Sequence, residues 1–182
     1  MRFFTKFKFP LTISVLIPLI VAIGAQLGTI ITPILLILFT CTIVVLAVFN
    51  KIPQSHYPFY TFSITLGLMY SASMVGAYVV GSDMQQEVYV SRTVLQNGWD
   101  FTAEYGTQSS TSFVIGWLVP QLSLLFHTDV VWIYKIVLPF IFSFTPVALY
   151  YAFKKQIQPK QAFLACVFFM IVPVATLEII QI

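Results

Sequence analysis

Charged side chains are what this sequence has least of: Asp, Glu, Lys and Arg make up 8% of its 182 residues, against about 25% in ordinary soluble domains. Together with 59% hydrophobic residues, that scarcity excludes a conventional soluble domain, whose surface has to be polar. Cysteine is nearly as scarce. Cys41 and Cys166 stand alone in separate apolar runs, where they read as small packing residues, and they form neither a disulfide framework nor a CxxC metal pattern. No internal repeat, low-complexity tract or soluble domain interrupts the chain. His56, in the polar stretch "NKIPQSHYP", has no second His, Cys or carboxylate near it in sequence and reads as a solvated loop residue.

Long apolar runs take up most of what remains. About 20 apolar residues, rising 1.5 Å each, cross a hydrocarbon core of roughly 30 Å. Residues 11–31, 33–49, 59–80 and 130–153 reach that length, and a further run, 161–180, extends almost to the last residue. The expected fold class is all-α: a polytopic transmembrane helical bundle in which residues 1–182 form a single transmembrane region. Because the chain stops where the last helix should emerge into water, a fragment of a longer protein is expected.

The net charge of +3 would suit nucleic acid if it were gathered on one face. It is instead split among Arg2, Lys6 and Lys8 before the first span, Lys51 after the second, and Lys154, Lys155 and Lys160 after the fourth. Cytoplasmic loops carry such an excess of Lys and Arg. The N-terminus and these loops are therefore expected in the cytoplasm of a multi-pass cell-membrane protein, with residues 81–129 exterior and no nucleic acid as partner. Residues 113–127 are apolar, but they number fifteen and include Gly116, Pro120 and Gln121. A crossing there would put Lys154 and Lys155 outside, so the segment is expected to lie along the interface or re-enter as a short helix. The exterior segment is acidic, with Asp83, Glu87, Asp100, Glu104 and Asp129 against Arg92. The opening "MRFFTKFKF" and the later "AIGA" also resemble a signal peptide, but the apolar run continues to Ile31 and another span follows at once, favouring an uncleaved first helix. Pro18, Pro139, Pro146 and Pro173 lie inside spans and predict kinks.

The stretch "GSDMQQEVYVSRTVLQNGWD" concentrates the polar chemistry. It reads as a helix with Ser82 or Asp83 at its N-cap and no breaker before Asn97-Gly98, while Gly81 closes the third span. Asp83 and Glu87 are then one turn apart on one face. Such a pair can hold a divalent metal, act as a general base towards an acceptor hydroxyl, or simply favour the helix macrodipole. Arg92 suits either a surface salt bridge or headgroup contact, or a substrate phosphate. Lys135, at the outer edge of the fourth span, can snorkel to water or meet a lipid-linked phosphate, and His127 and Asp129 could line the same cavity. Trp99, Trp117, Trp132 and Tyr134 suit an interfacial aromatic belt before they suit sugar stacking, and Glu178 is expected at the interface.

Three stretches carry a resemblance: "IGAQLGTIITPILLILFT", "YVVGSDMQQEVYVSRTVLQNGWD", and "FVIGWLVPQLSLLFHTDVVWIYKIVLPFIFSFTPVALYYAFKK". In order and spacing they resemble the N-terminal part of a largely archaeal family of multi-pass membrane proteins, itself similar to the GT-C superfamily of glycosyltransferases. The most specific features are G-x-D-x-x-x-E, the Val-Pro of the short helix and Lys-Ile-Val-x-Pro. The resemblance implies transfer of a sugar from a polyprenyl-phosphate donor, held in membrane lipid, to an exterior glycan or protein acceptor. It implies Asp83 as the general base or metal-linked carboxylate, Glu87 assisting it, Arg92 or Lys135 on the leaving phosphate, and Mg2+ or Mn2+ as possible cofactor. The chain departs from the family in ending early and in carrying Gln85 where a His is frequent.

Two other classes compete: a non-catalytic scaffold of envelope glycan assembly, and a transporter or flippase with gates at the intramembrane prolines. Charge placement favours the transferase over an ion-coupled carrier, because no acidic residue falls at mid-depth in the four complete spans.

Overall fold

A computed structural model describes residues 2–79, 81–98 and 112–171, with side chains from Thr12 onward except that of Ser82. Val80, Trp99, Asp100, Glu104, Pro173, Glu178 and the end of the fifth apolar run lie outside the described residues, as do the side chains of Arg2, Lys6 and Lys8. Every regular element among the described residues is helical. In chain order these are α1 (Arg2–Gln26), α2 (Ile31–Val48), α3 (Tyr57–Ser73), α4 (Ser82–Asn97), α5 (Val119–Phe126), α6 (Val130–Trp132), α7 (Leu138–Phe142), α8 (Phe144–Phe153) and α9 (Pro159–Ile171). A π-turn, Val114–Leu118, leads into α5, and a second, Ile133–Val137, joins α6 to α7.

Two helices are long and apolar enough to cross a membrane by length and composition: α2, and the rod Val130–Phe153 assembled from α6, the second π-turn, α7 and α8. Each is only 28% buried, whereas the core helix of a soluble domain buries most of its surface. Both match the expected spans closely. The third expected span does not: α3 has 17 residues and stops at Ser73, well before residue 80. The chain instead breaks over 74–79, with Gly76 at φ 66°. Gly81 accordingly opens α4 rather than closing α3.

Helix directions follow from paired contacts. Near the start of α3, the Ser14 hydroxyl of α1 donates to the Phe59 carbonyl at 3.0 Å. Near its end, the Gln26 amide nitrogen, oriented toward the break, reaches the Met74 carbonyl at 2.9 Å, so α1 and α3 run in parallel. Between them α2 runs back, seated closely on α1 because a Cβ on Gly24 would overlap the Thr32 side chain. At the end where α2 stops, the Lys160 ammonium at the head of α9 donates to the Val48 carbonyl at 3.4 Å. Lys154 lies over the Tyr151 ring there, 5.1 Å from its centroid. One apolar core fills this end: Tyr57 stacks on Phe163 at 4.7 Å and meets Tyr150 edge-on, beside Ile64, Cys166 and Met170. A second core, of Val79, Met84, Val88, Val119, Val130, Ile133, Tyr134 and Leu138, fills the opposite end and joins α4 and α5 to the head of the rod. Lys51, Lys154, Lys155 and Lys160 thus lie at one end of the molecule and α4 at the other.

Candidate functional site

Gly81, at φ 119°, turns the chain into α4, and Gly98, at φ 82°, ends it, both in backbone space open to glycine. Between them Met84, Glu87, Val88 and Ser91 are buried, the i, i+3, i+4, i+7 stripe of a helix lying on a core. Glu87 belongs to that stripe. Asp83, one turn earlier, is exposed in the first turn, where its carboxylate also favours the macrodipole. Four residues advance a helix by a little more than one turn. The pair therefore straddles the boundary between core and surface.

Glu87 is 7% exposed and its Oε2 has no hydrogen-bond partner. Burial, reinforced by the neighbouring Asp83 charge, pushes its carboxyl up to about 7. It therefore holds a proton well above the usual carboxylate range.

The support under α4 comes from two prolines. Pro120 and Pro139 have no N–H to return to the preceding turn, and each is preceded by a π-turn whose last bond is made one residue earlier: Val119 N–H to Val114, Leu138 N–H to Ile133. Side chains also donate to carbonyls of these turns. Ser91 donates to the Ile115 carbonyl at 2.9 Å, Ser73 to the Lys135 carbonyl at 2.9 Å, and Tyr70 to the Ile136 carbonyl at 3.3 Å. Ser91 Oγ also lies 3.1 Å from the Tyr134 hydroxyl. Since the single Ser91 proton goes to a carbonyl, which can only accept, Tyr134 is the donor of that second bond.

Arg92 and Lys135 do not face a common cavity. One Arg92 nitrogen, Nη2, donates to both Asp129 oxygens, at 2.8 and 2.9 Å. Asp129 in turn caps the head of the rod by accepting from the Val131 N–H at 2.8 Å. Burial pushes the Asp129 carboxyl up, but the Val131 hydrogen bond and then the Arg92 hydrogen bond and charge outweigh it, leaving Asp129 below its usual value. The salt-bridge alternative for Arg92 is the one realised. Lys135 is 1% exposed, so the expected snorkelling to water does not occur. Its ammonium donates to the carbonyls of Val75 at 3.1 Å, Gly76 at 2.6 Å and Tyr78 at 3.2 Å, and thereby caps the break after α3. With those donors engaged on the carbonyls of the break, the phosphate role expected of Lys135 is not supported by its surroundings. His127 is exposed at the end of α5, in left-handed conformation at φ 50°, while Asp129 is held by Arg92, so the two do not form a cavity wall. Tyr134 is 2% exposed, an interior hydrogen-bonded residue rather than part of an aromatic belt; Trp117 and Trp132 remain partly exposed.

A protein-held Mg2+ or Mn2+ centre does not fit this arrangement. Among the described residues no group of three or more His, Cys, Asp or Glu side chains could hold a metal ion. Of the two expected ligands, Glu87 is buried on the face of α4 that packs on the core, whereas Asp83 is exposed, so the pair does not present both carboxylates to one open site. Ser91 and Ser73 were invisible as site residues, and Tyr134 was read as an aromatic anchor rather than an interior hydrogen-bond donor. Their signal was indirect: Pro120 and Pro139 leave the turns before them short of a backbone donor. In comparisons with known proteins, the chain matches no family model, no curated protein and no solved structure.

Proposed function

We propose that the chain belongs to a multi-pass membrane protein of the GT-C glycosyltransferase type, which moves a sugar from a polyprenyl-phosphate donor to an exterior glycan or protein acceptor. The observation carrying this reading is the Asp83–Glu87 pair: an exposed carboxylate beside a buried one held near neutrality, at the end of the molecule opposite Lys51, Lys154, Lys155 and Lys160. Environments that separate two neighbouring acids in this way suit proton-transfer chemistry. Outward-facing apolar surfaces on α2 and the rod support a lipid surrounding, and lysines gathered at one end support a cytoplasmic side there. A donor with a polyprenyl tail then keeps its phosphate at the level of α4.

In the reaction, the acceptor hydroxyl oxygen bonds to the anomeric carbon while the bond from that carbon to the phosphate oxygen breaks, its electron pair leaving with the polyprenyl phosphate. The acceptor proton passes to Asp83, with Glu87 one turn away on the buried side of α4. No step is drawn through a metal. In membranes containing the protein, labelled polyprenyl-phosphate sugar transfers label to an acceptor, and Asp83→Asn abolishes the transfer at equal expression. Full turnover in Asp83→Asn sinks the proposed base.

One observation favours the non-catalytic scaffold as a second reading: of the cations expected on the leaving phosphate, Arg92 is paired with Asp129 at the surface and Lys135 is engaged by backbone carbonyls. Membranes in which neither wild type nor variant transfers label support it.

A further inference from the structure

α4 is fixed to the body in three ways. Met84 and Val88 enter the core of Val119, Val130, Ile133, Tyr134 and Leu138. Ser91 links the two π-turns, taking the Tyr134 proton and giving its own to Ile115. At the surface Arg92 is paired with Asp129. Glu87 lies between Met84 and Val88, in the middle of this contact, with Oε2 unpartnered.

Among the described residues, the groups packed around it offer its Oε2 no hydrogen bond. From the segment 113–126 no titratable side chain faces it, because the sequence there contains none. From the head of the rod come Tyr134, Lys135 and Asp129. The Tyr134 hydroxyl is close enough for the Glu87 charge to act on it, but its one proton is given to Ser91. Lys135 is engaged by the carbonyls of 75, 76 and 78, and Asp129, of like sign, is held by Arg92. On α4 itself Asp83 adds a second like charge, and His127 is exposed on the turn after α5. A neutral carboxyl is tolerated in such a place, whereas an unpaired buried charge is costly.

We propose that α4 is a proton-operated clasp: it seats on the two π-turns while Glu87 carries its proton, and loosens, carrying Asp83 with it, when Glu87 ionises. The clasp concerns how α4 is held and does not depend on glycosyl transfer. A carboxyl held above its free value stabilises the closed state most at low pH, and that stability drains away as pH rises through the closed-state value of about 7.

Hydrogen exchange of α4 amides in the full chain, in nanodiscs and corrected for the intrinsic pH dependence of exchange, tests this directly. Between about pH 5.5 and about pH 8.5, wild-type protection in α4 should fall roughly tenfold or more, while Glu87→Gln stays protected and flat. A flat wild-type profile, or a Glu87→Gln profile that still steps, overturns the clasp. Arg92→Leu should lower protection at every pH and keep the step; loss of the step would assign it to the Arg92–Asp129 pair and overturn the proposal as well. A titration independent of how Glu87→Gln folds uses Glu104→Gln with Glu178→Gln, which leaves Glu87 the sole glutamate. Carbon-13 NMR of its carboxyl should show the protonated form persisting to about pH 7, and a carboxylate already formed at about pH 5.5 would overturn the clasp.

Discussion

The Lys135 ammonium lies 2.6 Å from the Gly76 carbonyl oxygen, bringing a cation of the rod onto the backbone just beyond the end of α3. A helix C-terminus is the negative pole of its macrodipole and attracts positive charge. Here a buried lysine answers that pole from another helix. Lys135→Met should leave the carbonyls of Val75, Gly76 and Tyr78 without their donor and cost about 1–3 kcal/mol. Thermal unfolding in detergent measures it. An unchanged midpoint would mean that the ammonium is not what holds the break.

Coupling between Pro120 and Ser91 should be measurable. Pro120→Ala restores an N–H one turn beyond Ile115 and Gly116, which gives the π-turn a backbone donor in place of the serine hydroxyl. Ser91→Ala should therefore cost about 1 kcal/mol in the wild type and clearly less in the Pro120→Ala background. A double-mutant cycle in unfolding free energy reads the difference. Strict additivity of the two substitutions would break the link between proline and serine.

The Arg92–Asp129 pair should behave asymmetrically. Both side chains are 49% exposed, so Arg92→Ala should cost no more than about 1 kcal/mol after screening by solvent. Asp129→Ala should cost more, because it also removes the cap accepted from the Val131 N–H, worth about 1 kcal/mol on its own. The Asp129 carboxyl titrates below its ordinary 3.8 in the folded chain. Its contribution is therefore complete above that value and is lost as pH falls through the lower folded one. Acid titration of wild type against Asp129→Asn checks the sign, and equal acid stability of the two would contradict it.

Much of the helix plan was legible because long apolar runs and glycine stops act locally. α2 and the rod Val130–Phe153 fall within a few residues of the expected spans, and α4 ends at Gly98 as anticipated. The short α3 was not legible, because the stretch up to residue 80 is as apolar as a span, and the lysine that caps its break, Lys135, lies some sixty residues downstream. The same holds for the site. One turn of spacing places Asp83 and Glu87 on neighbouring positions, but only the packing of α4 against Val119, Val130 and Tyr134 decides that Glu87 is buried and Asp83 exposed. Arg92 and Lys135 look alike in sequence, as isolated cations near acids, and differ in the structure only through partners far along the chain.

Orientation across a bilayer yields the last prediction. Gln96, near the end of α4, and Gln156, after α8, are both exposed and belong to opposite ends of the molecule. In a chain lacking Cys41 and Cys166, a cysteine at residue 96 should react with an impermeant thiol reagent applied to intact cells, and one at residue 156 only after permeabilisation. The argument rests on Lys51, Lys154, Lys155 and Lys160, which cluster where α2 and α8 end and which the positive-inside rule holds in the cytoplasm. Both sites reacting from outside would remove the crossing of the rod. Reversed labelling would put Asp83 and Glu87 in the cytoplasm, out of reach of an exterior acceptor.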